Sequence, residues 1–255
     1  MDEQRIWLLS GTGEGPQLAA ELLRRGWQLR VSVVSSAAAR AYPAHPNLEL
    51  LVGALGDEVA VQTALAQWPC RWVVDAAHPF ARSIHPAVAK ACAALGQPLL
   101  RLQRPMFTSP GATVLAGLED LAALPLEQES LLLALGAREL AAALRYSRAR
   151  EHAVRLLPSA TALGQALQLG LPAERIACLR PQTSSSIAGS VEAGLCRRWG
   201  ITAVLARQSG GPPEQQWHQI CQAMGLKLLL LARPESCDPK GLELAELLAR
   251  LGWPS

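Results

Sequence analysis

Short apolar runs separated by amphipathic stretches recur along the whole chain. Ile6-Trp7-Leu8-Leu9 is wholly apolar, as expected of a parallel-sheet strand that is covered on both faces. The run breaks into Ser10-Gly11-Thr12-Gly13-Glu14-Gly15-Pro16. Leu18, Leu22 and Leu23 then share one face of a helix predicted over about Pro16–Arg25, with Pro16 suited to its first turn. The alternation continues with strands predicted at Leu29–Ser35, Leu48–Val52, Arg71–Asp75 and Pro98–Leu102, and helices near Glu58–Gln67 and Ile84–Leu95. The Pro- and Gly-bearing stretch from Arg104-Pro105 to Ser109-Pro110-Gly111 reads as a linker. Beyond it the pattern predicts strands near Thr113–Ala116, Leu131–Leu135, Ala153–Leu157, Arg175–Leu179, Thr202–Ala206 and Lys227–Leu231. Helices fit near Ala137–Arg145, Thr161–Leu169, Ser186–Trp199, Pro213–Met224 and Lys240–Leu251. Strands alternating with helices predict doubly wound, parallel sheets.

Composition narrows the class. A chain of 255 residues, half of them apolar, can bury two cores. No apolar run approaches the roughly 18 residues that span a bilayer. The opening Met1-Asp2-Glu3-Gln4-Arg5 lacks the basic-then-apolar order of a signal peptide, so a cytoplasmic protein off the membrane is expected. Six scattered cysteines without a C-x-x-C pair are expected to be buried free thiols, with no metal site. A net charge of +3 is too small to argue for a nucleic-acid partner. Of the 24 basic residues only Lys90, Lys227 and Lys240 are lysines, and arginine's rigid fork suits carboxylates and phosphates.

Candidate chemistry gathers at the predicted strand ends, where open α/β sheets bind ligands. The loop Gly11-Thr12-Gly13-Glu14-Gly15, between a strand and a helix N-terminus, offers an anion site for a dinucleotide's pyrophosphate. Its glycines can take positive φ or admit a close approach. It misses the strict G-x-G-x-x-G pattern, ending in Pro16, so a tight βα turn is the alternative. Ser35, Ser36 and Arg40 follow the second strand, where hydroxyls and an arginine favour a 2′-phosphate, hence NADPH over NADH. Asp75-Ala76-Ala77-His78-Pro79-Phe80-Ala81 ends the next central strand. Small residues such as Ala76 admit a flat ligand, while His78 could be an acid, a hydrogen-bond donor or a turn residue. His85 reads as structural or surface. Arg101, Arg104, Arg138, Arg180, Arg207 and Arg233 follow later strands, and suit a ligand with several carboxylates. Ser209-Gly210-Gly211 is a second glycine turn opening a helix, and a second possible anion site.

The predicted architecture is therefore α/β, with two Rossmann-like parallel-sheet domains and a cleft between them. A dinucleotide-binding domain is expected over 1–105 and a substrate-binding domain over 110–235. The C-terminal helix within 238–255 could pack on either. Other chemistries find no support: Tyr146 is followed by Arg150 where a dehydrogenase needs lysine, and no nucleophile elbow, zinc-protease or P-loop motif occurs.

These residues carry a resemblance. In order and spacing the chain resembles the precorrin-6A reductase family of cobalamin biosynthesis. The motifs are Leu8–Leu22, Val33–Arg40, Val73-Val74-Asp75-Ala76-Ala77-His78-Pro79-Phe80-Ala81, Ala91-Cys92 and Pro98–Pro105. Leu135-Gly136-Ala137-Arg138-Glu139-Leu140 and Ser209-Gly210-Gly211 are similar to weaker motifs of the second domain. Three places differ from the family's pattern: Arg207-Gln208 stands where Lys-Asp is usual, Gly53-Ala54-Leu55-Gly56 is a thinned glycine turn, and Pro181-Gln182-Thr183-Ser184 matches poorly. The resemblance implies hydride transfer from a reduced nicotinamide to the precorrin-6A macrocycle, or its cobalt form, giving precorrin-6B. The substrate would be a tetrapyrrole bearing several carboxylates. By this reading Gly11, Thr12, Gly13, Glu14, Ser35, Ser36, Arg40, Ala76 and His78 bind the cofactor, with His78 also the catalytic candidate in an orienting role. Arg138, Arg180, Arg207, Ser209 and Gly210 bind substrate. Another NADP-dependent reductase of a polycarboxylate, or a non-catalytic dinucleotide sensor, remains the alternative from the residues alone.

Overall fold

The structure is a computed structural model that describes residues 3–11, 13–180, 190–234 and 240–254. The chain forms two compact units, Met106–Arg233 and a first unit made of Met1–Pro105 with Pro234–Ser255.

The first unit opens with β1 (Arg5–Leu9), α1 (Gly15–Arg24) and β2 (Gln28–Val33). It continues through α2 (Ser36–Ala39), β3 (Leu48–Val52), α3 (Glu58–Gln67), β4 (Trp72–Asp75), α4 (Ile84–Leu95) and β5 (Leu99–Arg101). All pairings are parallel, in the order β3-β2-β1-β4-β5. β1 shows why a continuous apolar run was needed. Ile6 and Leu8 pack with Leu18 and Leu22 of α1 on one face, while Trp7 and Leu9 pack with Val61 of α3 and Val88 of α4 on the other. The one polar atom of that run, Trp7 Nε1, donates to Ser32 Oγ at 2.9 Å.

The second unit repeats the plan with β6 (Thr113–Leu115), β7 (Ser130–Ala134), α5 (Ala137–Tyr146), β8 (Glu151–Leu156), α6 (Ala160–Gln168) and β9 (Ile176–Cys178). Then come α7 (Ser190–Arg198), β10 (Ala203–Arg207), α8 (Pro212–Met224) and β11 (Lys227–Leu231). Its six parallel strands run β6-β11-β10-β7-β8-β9. Leu132, Val204 and Leu230 from the sheet meet Trp217, Ile220 and Cys221 of α8 in its core.

The chain then returns to the first unit with α9 (Leu244–Leu251). Leu247 and Leu251 join the core of α1, and Trp27 Nε1 donates to the Gly252 carbonyl at 3.2 Å. Arg25 Nη1 donates to the Leu248 carbonyl at 2.7 Å. α9 begins later than the predicted Lys240 because Leu242 extends the sheet edge. Its N–H donates to the Arg101 carbonyl at 2.8 Å and its carbonyl accepts from Gln103 N at 2.7 Å. The predicted start of α7 at Ser186 lies outside the described residues.

The two parallel α/β sheets match the expected fold class. α2 was not predicted; Ser35 caps it by accepting from Ala38 N at 3.2 Å, ahead of three alanines. Among the described residues no helix is long and apolar enough to cross a membrane. Cys70, Cys92, Cys196 and Cys221 are free and buried, and Cys178 is free and half-buried; Cys237 lies outside the described residues. Burial pushes Cys70 and Cys196 up to about 11, and Cys92 and Cys221 up to about 12, so the four stay protonated thiols.

Candidate active site

The order β3-β2-β1-β4-β5 means that the chain leaves β1 in one direction along the sheet and later returns beside it in the other, opening a crevice beyond the ends of β1 and β4. The backbone joins these ends closely: Ala76 N donates to the Leu9 carbonyl at 2.9 Å, and Ser10 N to the Ser32 carbonyl at 3.0 Å. The glycine loop and the turn that carries His78 therefore leave adjacent strand ends, while Ser35, Ser36 and Arg40 follow β2 on the other side. Thr12 lies outside the described residues.

The loop glycines are needed for close approach. None of Gly11, Gly13 and Gly15 has positive φ. A Cβ on Gly15 would stand 1.8 Å from Ser10 Oγ and 2.4 Å from the Tyr42 hydroxyl oxygen. A Cβ on Gly13 would stand 2.6 Å from Arg104 Nη2, whereas the space around Gly11 is open. Tyr42, which sequence reasoning missed, donates its hydroxyl to the Gly11 carbonyl at 2.7 Å and ties the segment after β2 to the loop. Burial pushes its hydroxyl pKa up. α1 has no side-chain cap, unlike α2, α3 and α6, which are capped by Ser35, Asp57 and Ser159. An uncapped helix end behind a glycine loop leaves N–H donors for an anion. Ser36 and Arg40, which follow β2, are exposed, and Arg40 makes no ion pair among the described residues.

Beyond β4 the reading of single residues fell short. Asp75 is fully buried and accepts from His85 Nδ1 at 2.6 Å, Arg101 Nε at 3.2 Å and Ala77 N at 3.1 Å. Burial opposes its ionisation, but His85, Arg101 and the Ala77 N–H outweigh it and hold the carboxyl below the usual range. The other ring nitrogen of His85 lies 3.1 Å from the His78 carbonyl. His85, expected to be structural or surface, thus links the buried carboxylate to the backbone of the exposed His78 turn. His78 Nδ1 accepts from Phe80 N at 3.2 Å, so this ring atom is committed to shaping the turn. Seven residues apart on a turn and a helix, the two histidines form no recognisable spacing, and only the fold shows their link.

In the second unit the strand order reverses between β7 and β10, whose ends pair Ala134 with Ala206. This brings Gly136-Ala137-Arg138 and Arg207-Gln208-Ser209-Gly210 together. Gly136 has φ +97°, and a Cβ there would stand 3.3 Å from Arg207 Nη2. Arg207 pairs with Glu139 on α5. Arg138 is exposed at the start of that helix. Arg180 follows β9 at the sheet edge and is exposed, so the fold does not bring it to the β7/β10 reversal. Arg233 follows β11 and donates from Nε to the Gln208 carbonyl at 3.3 Å. Burial lowers the pKa of Arg233, opposed by the charge of Glu214. The second glycine turn already holds its own carboxylate. Glu214, buried in the first turn of α8, accepts from Gly210 N and lies 3.3 Å from His218 Nε2. His218 Nδ1 in turn faces Ser109 Oγ. The glutamate three residues after Gly211 is a capping-box signal that sequence reasoning could have used. The Pro181-Gln182-Thr183-Ser184 motif lies outside the described residues.

The family model for precorrin-6x reductase, CbiJ/CobK, matches residues 5–252. This chain belongs to that family. A cobalt-precorrin-6A reductase of Synechocystis sp. is 31% identical over 242 residues, spanning 91% of this chain and 89% of the relative. A precorrin-6A reductase of Mycobacterium tuberculosis (strain ATCC 25618 / H37Rv) is 30% identical and spans 90% and 89%. A solved structure of CobK precorrin-6A reductase has a TM-score of 0.80 at 25% identity, covering 98% of both chains. The resemblance read from the motifs is borne out. As a precorrin-6x reductase the protein is an oxidoreductase, a precorrin-6A or cobalt-precorrin-6A reductase of cobalamin biosynthesis, built on a Rossmann-like α/β fold.

Proposed function

We propose that the first unit binds NADPH, in preference to NADH, and presents it for hydride transfer to a ring of the precorrin-6A macrocycle or its cobalt form, yielding precorrin-6B in the cytoplasm. The observation that carries this reading is the uncapped N-terminus of α1 behind Gly11 and Gly13, at the reversal of strand order, with Arg40 exposed after the neighbouring strand β2. The groups fit a dinucleotide: the entry of α1 has no side-chain cap to compete with a pyrophosphate, and Ser35, Ser36 and Arg40 are exposed after β2, the strand whose end reads the adenosine ribose in dinucleotide-binding sheets. When bound, a reduced nicotinamide supplies the hydride and solvent the proton that together saturate one ring double bond.

The chain's own residues orient and hold. Ala76, buried at the end of β4, gives the flat ring a surface without side-chain obstruction. His78 acts by orientation, since its Nδ1 is spent on Phe80 N and its carbonyl is engaged by His85. Arg138 and Arg207 hold substrate carboxylates by charge-assisted pairs, with Arg180 a more distant contributor at the sheet edge. Ser209 lines this turn, and Gly210 contributes its shape, its N–H being given to Glu214. Thr12 and Glu14 complete the cofactor loop.

Equilibrium titration of NADPH and NADH tests the reading. NADPH is expected to bind tighter, and Arg40→Ala to cost about tenfold for NADPH alone, the scale of one exposed charge-assisted contact. Equal loss of both cofactors would remove Arg40 from 2′-phosphate recognition. Ring absorbance of precorrin-6A followed together with NADPH oxidation checks the reaction itself.

A further inference from the structure

Arg104 leaves β5 and folds back over the glycine loop. Its guanidinium sits against the Cα of Gly13, so closely that a Cβ there would lie 2.6 Å from Nη2 and 3.4 Å from Cζ. The side chain is 10% exposed, and Nη2 stands 2.7 Å from Glu14 Oε2. Glu14 is the residue that enters α1, yet it makes no side-chain cap. Among the described residues its buried Oε2 meets no donor in hydrogen-bond geometry, so its pairing with Arg104 is one of charge. A carboxylate wedged between an arginine, a glycine loop and an uncapped helix end stands where an anion is favoured on three counts.

We propose that Arg104 is the counter-charge for the dinucleotide's pyrophosphate, and that Glu14 occupies its place until the dinucleotide arrives. The inference rests on the dinucleotide reading above and assigns Arg104 to the cofactor instead of the substrate carboxylates. Both partners in the exchange are anions, so no bond forms or breaks. Phosphate oxygens match the planar fork of a guanidinium and can take two of its N–H groups at once. Glu14 can yield because it is the more exposed partner, at 23% against 10%. The need for glycine at position 13 follows: any side chain would push the guanidinium away from the loop.

The test is calorimetric titration of the full chain with NADPH and with NADH, which share the pyrophosphate and differ at the 2′ position. Arg104→Gln is expected to weaken both by the same factor, about 10–100-fold, as for loss of a shielded charge-assisted pair. Arg104→Lys should recover part of that loss, keeping the charge without the fork. Glu14→Gln should tighten both about two- to fivefold, because the arginine is no longer occupied by a rival carboxylate. Should Arg104→Gln fold poorly in a thermal melt, the direction of the Glu14→Gln change decides. Unchanged dinucleotide affinity in Arg104→Gln, or weaker binding in Glu14→Gln, would overturn the proposal while leaving the dinucleotide reading intact. A wild-type protein that binds neither dinucleotide would overturn both.

Discussion

The two units end their central strands in the same way and treat the resulting anion sites differently. Each has a parallel sheet whose strand order reverses beside its first strand–helix turn, and each places a glutamate at a glycine-bearing helix entry. In the second unit that glutamate, Glu214, is wholly buried, accepts the Gly210 N–H and is faced by His218 and Arg233. In the first unit Glu14 is partly exposed, makes no side-chain cap and pairs with Arg104 Nη2. A carboxylate bound by backbone and buried partners is part of the fold. One held by charge at a partly open edge can be exchanged for a ligand. Equal topology therefore does not make equal sites; the depth of the resident carboxylate decides which helix end stays available.

Breaking the first loop should have the largest effect. Gly15→Val puts atoms where Ser10 and Tyr42 already stand, so it is expected to cost about 3 kcal/mol or more of stability and to abolish dinucleotide binding. Gly11→Ala, with open space around it, should melt within about 0.5 kcal/mol of the wild type. Equal melting of the two variants would mean that close packing is not what the loop requires.

Next comes the buried carboxylate of the second unit. Glu214→Ala leaves the Gly210 N–H and His218 without their acceptor and should destabilise by about 3 kcal/mol. NADPH titration should remain near normal, because this carboxylate serves the other unit's fold. A variant as stable as the wild type would erase the distinction between a resident and an exchangeable glutamate.

A smaller, more selective effect is expected at Arg138, which is exposed at the start of α5. Arg138→Ala should raise the substrate KM about tenfold while leaving NADPH affinity unchanged, and the difference should shrink at high salt. A defect confined to NADPH would assign this side of the second sheet to the cofactor.

The smallest effect separates the carboxylates by pH. The carboxyl of Asp75 titrates below its ordinary value in the folded chain, so the unfolded chain takes up its proton first as the solution is acidified. Its contribution is complete above the unfolded pKa of about 4 and fades as pH falls through the folded value. Asp75→Asn should therefore flatten the acid limb of a stability-against-pH curve relative to wild type. An unchanged acid limb would show that His85 and Arg101 do not favour the ionised form.

Much of the architecture was legible because a parallel-sheet strand is buried on both faces and must be apolar throughout. β1, β3 and β11 read directly from Ile6–Leu9, Leu48–Val52 and Lys227–Leu231, and α3 and α4 from their helical spacing. The glycine loop and the Asp75–Ala81 turn were legible for a related reason: small residues clustered at a strand end need a cause beyond packing. The partners of those residues were not legible. Nothing local to His85 announces a bond to Asp75, since the turn between them has to fold back first, and nothing in Arg104 announces Gly13 beneath it, since that contact spans most of the first unit.

By itself the sequence determined two α/β units, the placement of glycine turns and arginines at strand ends, and the family those motifs belong to. These are set by local burial and local backbone freedom, which each residue type expresses where it stands. Only the tertiary structure decided that α9 completes the first unit, that Arg180 stands at a sheet edge away from Arg138 and Arg207, and that Glu14 and Glu214 hold unlike places. Those outcomes depend on which strands become neighbours, and strand order is fixed by the summed packing of the whole sheet.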